Sequence, residues 1–123
     1  MVTARRFRAV ALSLPEAEER ETWGEATFRV RDRIFAIMSP DGKRASIKAS
    51  PQEQAALIHA DPRTYSPAPY VGKHGWVAVE LRTADGDEVG ELLTEAWRLT
   101  APKRLVAALD GAAQSPSDSQ TRR

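Results

Sequence analysis

The side chains best suited to chemistry in this sequence are basic, and they are bunched. Arg29, Arg31 and Arg33 fall at every second position, and Lys43, Arg44 and Lys48 follow shortly after. Alternation is the spacing of a β-strand, so it sends Arg29 and Arg31 to one side of a sheet, with Lys48 on the same side. Arg33 then stands near one hairpin end, and Lys43 and Arg44 at the other hairpin tip. Cationic groups on a sheet face and on projecting hairpins suit phosphate contact along a duplex groove. A second group, Lys73, His74 and Trp76, combines charge, hydrogen bonding and an aromatic plane that can stack a base or hold an anion. Gly72 and Gly75 beside them let a backbone come close. Both groups have a plain structural counterpart. Charged residues commonly blunt an exposed sheet, acidic neighbours such as Glu80 dilute the patch, and Trp76 can simply cover a core edge at the start of a strand. A structural Trp76 should be mostly buried.

Other chemistries find little support. There is no cysteine, which removes disulfides, thiolate metal sites and thiol catalysis together. The two histidines, His59 and His74, fall in different elements, and the acidic run Glu16, Glu18, Glu19 and Glu21 has no ligand spacing, so no metal or cofactor is expected. No nucleophile elbow, phosphate loop, dinucleotide fingerprint or zinc-protease motif occurs, and Gly72-x-x-Gly75 is too short to signal a nucleotide. No catalytic residue can be named and no enzyme activity is expected. The net charge of +1 over 123 residues gives no global field, so an electrostatic partner must be captured by a local patch. No apolar stretch has signal-peptide or membrane-span length, and the chain reads as cytoplasmic, with no membrane partner.

The elements that must position these residues follow from periodicity. Phe7, Val10, Ala11 and Leu14 line one face of a helix over Thr3 to Ser13, capped by Thr3 and ended before Pro15. Glu16 to Glu21 reads as an acidic loop. Three strands of an antiparallel meander follow: Thr27 to Arg31 with Phe28 and Val30 inward, Arg33 to Ser39 apolar on both faces, and Arg44 to Ala49 with Ser46 and Lys48 opposed to Ala45, Ile47 and Ala49. Asp32 belongs to a tight turn, and Pro40-Asp41-Gly42 is a strong turn signal. Ser50-Pro51-Gln52-Glu53 is a helix start with serine as cap and proline at the first position, and that helix stops before Asp61-Pro62. Arg63 to Gly75 is a loop with room for a short edge strand. Trp76 to Arg82 is the fourth strand, Val77, Val79 and Leu81 inward and Trp76, Ala78 and Glu80 outward. Val89, Leu92, Leu93, Ala96 and Leu99 line a long helix, and Pro102 starts or kinks a last short one that Gly111 ends. The expected order is α-βββ-α-β-αα. That makes an α+β two-layer sandwich, with helices packed on one face of an antiparallel sheet, over residues 1–111. Residues 112–123 lack large apolar side chains and are expected to be disordered.

Several segments in this order resemble the MmcQ/YjbR family. They are Leu14-Pro15, Trp23-Gly24, Phe28-Arg29-Val30 and Ile34-Phe35-Ala36; then Tyr70-Val71-Gly72-Lys73-His74-Gly75-Trp76-Val77; then Glu95-Ala96-Trp97-Arg98-Leu99-Thr100-Ala101-Pro102-Lys103. Trp97 stands where that family often has tyrosine. The resemblance implies a frataxin-like topology and a proposed DNA-binding role described as a double wing. Arg5, Arg6 and Arg8 occupy the first helix, where frataxins carry an acidic ridge, which argues against iron.

Two expectations result. The leading one is a monomer that binds DNA weakly and without sequence preference. Arg29, Arg31, Arg33, Lys43, Arg44 and Lys48 would contact phosphates, and Lys73 and Trp76 would lie at the margin or stack. The alternative is a non-enzymatic module whose sheet face around Trp76 docks a protein or small ligand. A contiguous positive face favours the first; a concave apolar patch around Trp76, Trp23 and Tyr70 favours the second.

Overall fold

The structure is a computed structural model that describes residues 1–111; the tail expected to be disordered lies outside the described residues. Helix α1 (Ala4–Ser13) begins where the Thr3 hydroxyl accepts the Arg6 amide at 3.1 Å. It buries Phe7 and Ala11 completely and stops at Leu14, ahead of Pro15.

The segment expected as an acidic loop is instead a strand. β1 (Ala17–Thr22) pairs along its whole length with β2 (Glu25–Val30), from Ala17 opposite Val30 to Thr22 opposite Glu25. Sequence periodicity missed it because β1 is an edge strand with no large apolar residue. Backbone pairing and a two-residue turn hold it, not burial, and its charged side chains blunt the open edge. Trp23 and Gly24 form that turn with φ of 54° and 81°, the double positive φ whose twist matches a hairpin. The next hairpin repeats the device: Arg31 and Asp32, at φ 49° and 70°, join β2 to β3 (Arg33–Met38).

A register shift at Phe28 and Arg29 lets Phe35 and Ala36 both reach the interior. β4 (Arg44–Ile47) completes a four-stranded meander, one strand more than expected. Ser50 then caps α2 (Pro51–Ala60), its hydroxyl accepting the Glu53 amide at 3.1 Å, and the helix ends at Asp61. The loop that follows holds the short edge strand β5 (Tyr65–Pro67) and a 3-10 turn, Gly72–His74. Gly75 closes that turn at φ 101°, where a side chain would stand 2.6 Å from the Ala49 carbonyl oxygen. β6 (Val77–Glu80) inserts between β4 and β5, so the antiparallel sheet runs β1-β2-β3-β4-β6-β5. Asp85 caps α3 (Gly86–Thr100), and a last helical segment, α4, covers residues 103–111.

The helices pack against one sheet face, as the two-layer α+β expectation requires. The inner face contributes Phe28, Val30, Ile47, Val77 and Val79 to a core shared with Phe7, Val89, Leu93 and Trp97. Phe7 meets Phe28 edge to face at 5.6 Å. Trp97 is wholly buried and its indole N–H donates to the Pro15 carbonyl at 2.9 Å, tying α3 to the end of α1. Leu99, expected inward, is 49% exposed. Val89, Leu93, Ala96, Trp97 and Thr100 turn the buried stripe of α3 toward Trp97 and away from it.

Candidate binding surface on the open sheet face

The basic residues of the meander are not gathered into one field. Arg29 does face outward, but its side chain is only 16% exposed. It lies along the sheet, donating to Thr27 Oγ1 at 3.2 Å and Thr22 Oγ1 at 3.1 Å, with Asp32 3.9 Å away. Arg31 does not share that face. The turn begins right after Val30, which breaks the alternation, and Arg31 grips Glu16 through two bonds of 2.5 and 3.2 Å. Arg20, on the outer face of β1, is paired with Asp32 and lies 3.5 Å from Glu18. Arg44 is exposed, with its Nε 3.3 Å from Glu80. Arg33 and Lys43 are exposed at opposite ends of β3, a strand about 20 Å long at roughly 3.3 Å per residue. Lys48 is half-buried, and Lys73 is exposed in the 3-10 turn.

The aromatic residues do not form a patch either. Trp76 is half-buried. Its carbonyl is held by the Gln54 side-chain amide at 2.7 Å and the Ala68 amide at 3.2 Å. Trp23 and Tyr70 are 95% and 96% exposed, but Trp23 follows edge strand β1 and Tyr70 follows the opposite edge strand β5, so the sheet separates them.

What the fold does assemble is a hollow on the outer face, of about 390 Å³. That is within the size range of small-molecule sites. Its floor is one row across four strands: Ile37 opposite Ser46, Ser46 opposite Ala78, Ala78 opposite Ser66. Three small side chains in a row make the depression. The segment from Thr64 to Pro69 walls it on the β5 side, and Glu25 bounds it on the β2 side. Arg44, Glu80 and Arg63 stand at one end. The Arg82 guanidinium, then that of Arg44, holds the Glu80 carboxyl below the usual range. Sequence alternation already turned Ser46 and Ala78 outward; it had no means of placing Ser66 or Arg63 beside them.

Among the described residues no cluster of three potential metal ligands occurs, and no helix is long and apolar enough to cross a membrane. Uncharacterised proteins of Mycobacterium bovis (Mb2600) and Mycobacterium tuberculosis (Rv2570) are each 34% identical to this chain over 70 residues, 56% of this chain and 54% of theirs. The match thus spans about half the length of these curated relatives. The crystal structure of Deinococcus radiodurans protein DR2400, a DUF419 domain, superposes with a TM-score of 0.74 at 29% identity, covering 80% of this chain and 78% of that one. The YjbR family model matches residues 12–99, from the last turns of α1 through the sheet to the end of α3, and on that match the chain belongs to the YjbR family.

Proposed function

We propose that this protein is a non-enzymatic binding module that takes a small ligand in the hollow on the open face of its sheet. The observation that carries this reading is the row Ile37, Ser46, Ala78 and Ser66, which makes a concave, partly apolar floor between a loop wall and a charged rim. Arg20, Arg29 and Arg44 of the same face each lie beside a carboxylate, which interrupts the continuous positive field that nucleic acid prefers. The test is a screen of small organic fragments against the 15N-labelled chain by NMR. Binders should shift the amides of Ser46, Ser66 and Ala78 first, and Ala78→Trp, which fills the hollow from an outward position, should abolish those shifts while keeping the dispersed spectrum of a folded chain. Binders that persist unchanged in Ala78→Trp would overturn the reading.

DNA binding is the second reading. It is favoured by Arg33, Lys43 and Lys73, which are exposed and make no ion pair among the described residues, and by the resemblance to a family with a proposed DNA-binding role. Fluorescence anisotropy at low salt, with duplex and single-stranded DNA, decides it. Binding should weaken steeply with salt and fall in Lys43→Gln; no binding at micromolar protein removes this reading.

A further inference from the structure

The charged end of the hollow is unevenly balanced. Glu80, whose side chain is 17% exposed, lies between two arginines, with Arg44 Nε at 3.3 Å and Arg82 Nε at 3.0 Å. Each guanidinium gives Glu80 its Nε, and the terminal N–H groups of both make no hydrogen bond among the described residues. Arg63 stands on the other lip of the same end. Its neighbour Thr64 accepts the Glu80 amide at 2.8 Å, so Arg63 is held beside the Arg44–Glu80 pair. The Arg63 guanidinium makes no ion pair or hydrogen bond among the described residues and is exposed. Glu80 is thus shared by Arg44 and Arg82, and Asp61 Oδ1 accepts the Arg63 amide at 3.2 Å, which leaves the Arg63 guanidinium without a carboxylate partner among the described residues. The other carboxylate of the lining, Glu25, lies across the hollow beyond β3 and β4. The field runs from positive at the Arg63 lip to negative at Glu25, over a floor that holds Ile37 and Ala78.

The geometry points to a carboxylate subsite between Arg63 and Arg44, and so to a small organic acid with an apolar body as the ligand class. This rests on the hollow being the binding site. The guanidinium edges left open are the flat, forked donors that match a carboxylate. Glu80 holds Arg44 in place without consuming those edges. Pro67 and Pro69 on the wall offer the ligand body an apolar surface that needs no hydrogen bond. Glu25 repels an anion from the far side, which sets the ligand's direction: acid group toward β5, apolar body toward β3.

The probe pair is 4-phenylbutanoate and its isosteric amide 4-phenylbutanamide, equal in shape and different in charge, each titrated into the 15N-labelled full chain. Both should shift the amides of Ser46, Ser66 and Ala78, the acid with a Kd about tenfold lower. Arg63→Gln, an exposed position, should bring the acid's Kd to that of the amide and leave the amide's unchanged. Equal affinity for acid and amide in the native chain, or an acid preference that survives in Arg63→Gln, overturns the carboxylate subsite while leaving the hollow as a ligand site. Shifts of those amides by neither compound overturn both.

Discussion

Trp23 sits at the first position of the β1–β2 turn with φ 54°, and 95% of it is exposed. A bulky residue in the left-handed region costs on the order of 1 kcal/mol against asparagine, which tolerates it. So exposed an indole recovers little of that through packing. Trp23→Asn is therefore expected to raise stability by about 0.5–1 kcal/mol in urea unfolding. A loss of stability would show that the indole supports the hairpin after all. Arg31 makes the complementary point. Its type and spacing marked it as a phosphate ligand, yet a turn of two positive-φ residues delivers it to Glu16. Residue type alone marked Arg31 for a phosphate, and local backbone geometry paired it with the Glu16 carboxylate instead.

Helix α2 has no fully buried residue. Leu57 and Ile58 rest partly buried against the core. The Gln54 side-chain amide adds a clamp, donating to the Gly72 carbonyl at 2.8 Å and the Trp76 carbonyl at 2.7 Å. This one side chain fastens the helix to the loop that leads into β6. Gln54→Leu strips both carbonyls of that donor, and a cost of about 1–3 kcal/mol follows. Hydrogen exchange should show the loss as faster exchange in α2 and in residues 72–76, with the β2–β3 amides protected as before; uniform change across the sheet would contradict a local clamp. The cap of this helix was legible because Ser50, Pro51 and Glu53 each fill a position with its own physical preference. β1 was not legible, because Ala17–Thr22 offers neither period nor apolar bulk, and only β2 beside it makes it a strand.

For the molecule as a whole, pH dependence follows from its carboxyls. Hydrogen bonding from Arg31 lowers Glu16, that from Arg82 and Arg44 lowers Glu80, and the Ser39 hydroxyl with the Lys43 amide lowers Asp41, from ordinary values of 4.5, 4.5 and 3.8. Such groups stabilise the native state above their ordinary values and lose that contribution as pH falls through the lowered ones. Glu53 behaves oppositely: burial, then Glu95, raises it, so its charge opposes folding at neutral pH and the penalty is relieved as it protonates. Stability should thus stay level or rise slightly as pH descends toward 5, then fall below about pH 4. Urea midpoints across pH 3 to 7 check this; a midpoint still climbing between pH 4 and 3 would contradict it.

Local rules acting over a few residues were enough to determine α1, the meander strands β2 to β4, the capped start of α2, strand β6 and the long helix α3. Each of these repeats at 3.6 or 2 residues, or carries cap and turn residues, so its signal lies within its own segment. The outward aim of Ser46, Ala78 and Glu80 belongs to the same class. The tertiary structure alone decided that β6 enters between β4 and β5, which lays Ile37, Ser46, Ala78 and Ser66 in one row and brings Arg63 to the Arg44–Glu80 pair. Register between strands distant in the chain is set by how a shared core closes, and no segment of the chain carries that information by itself.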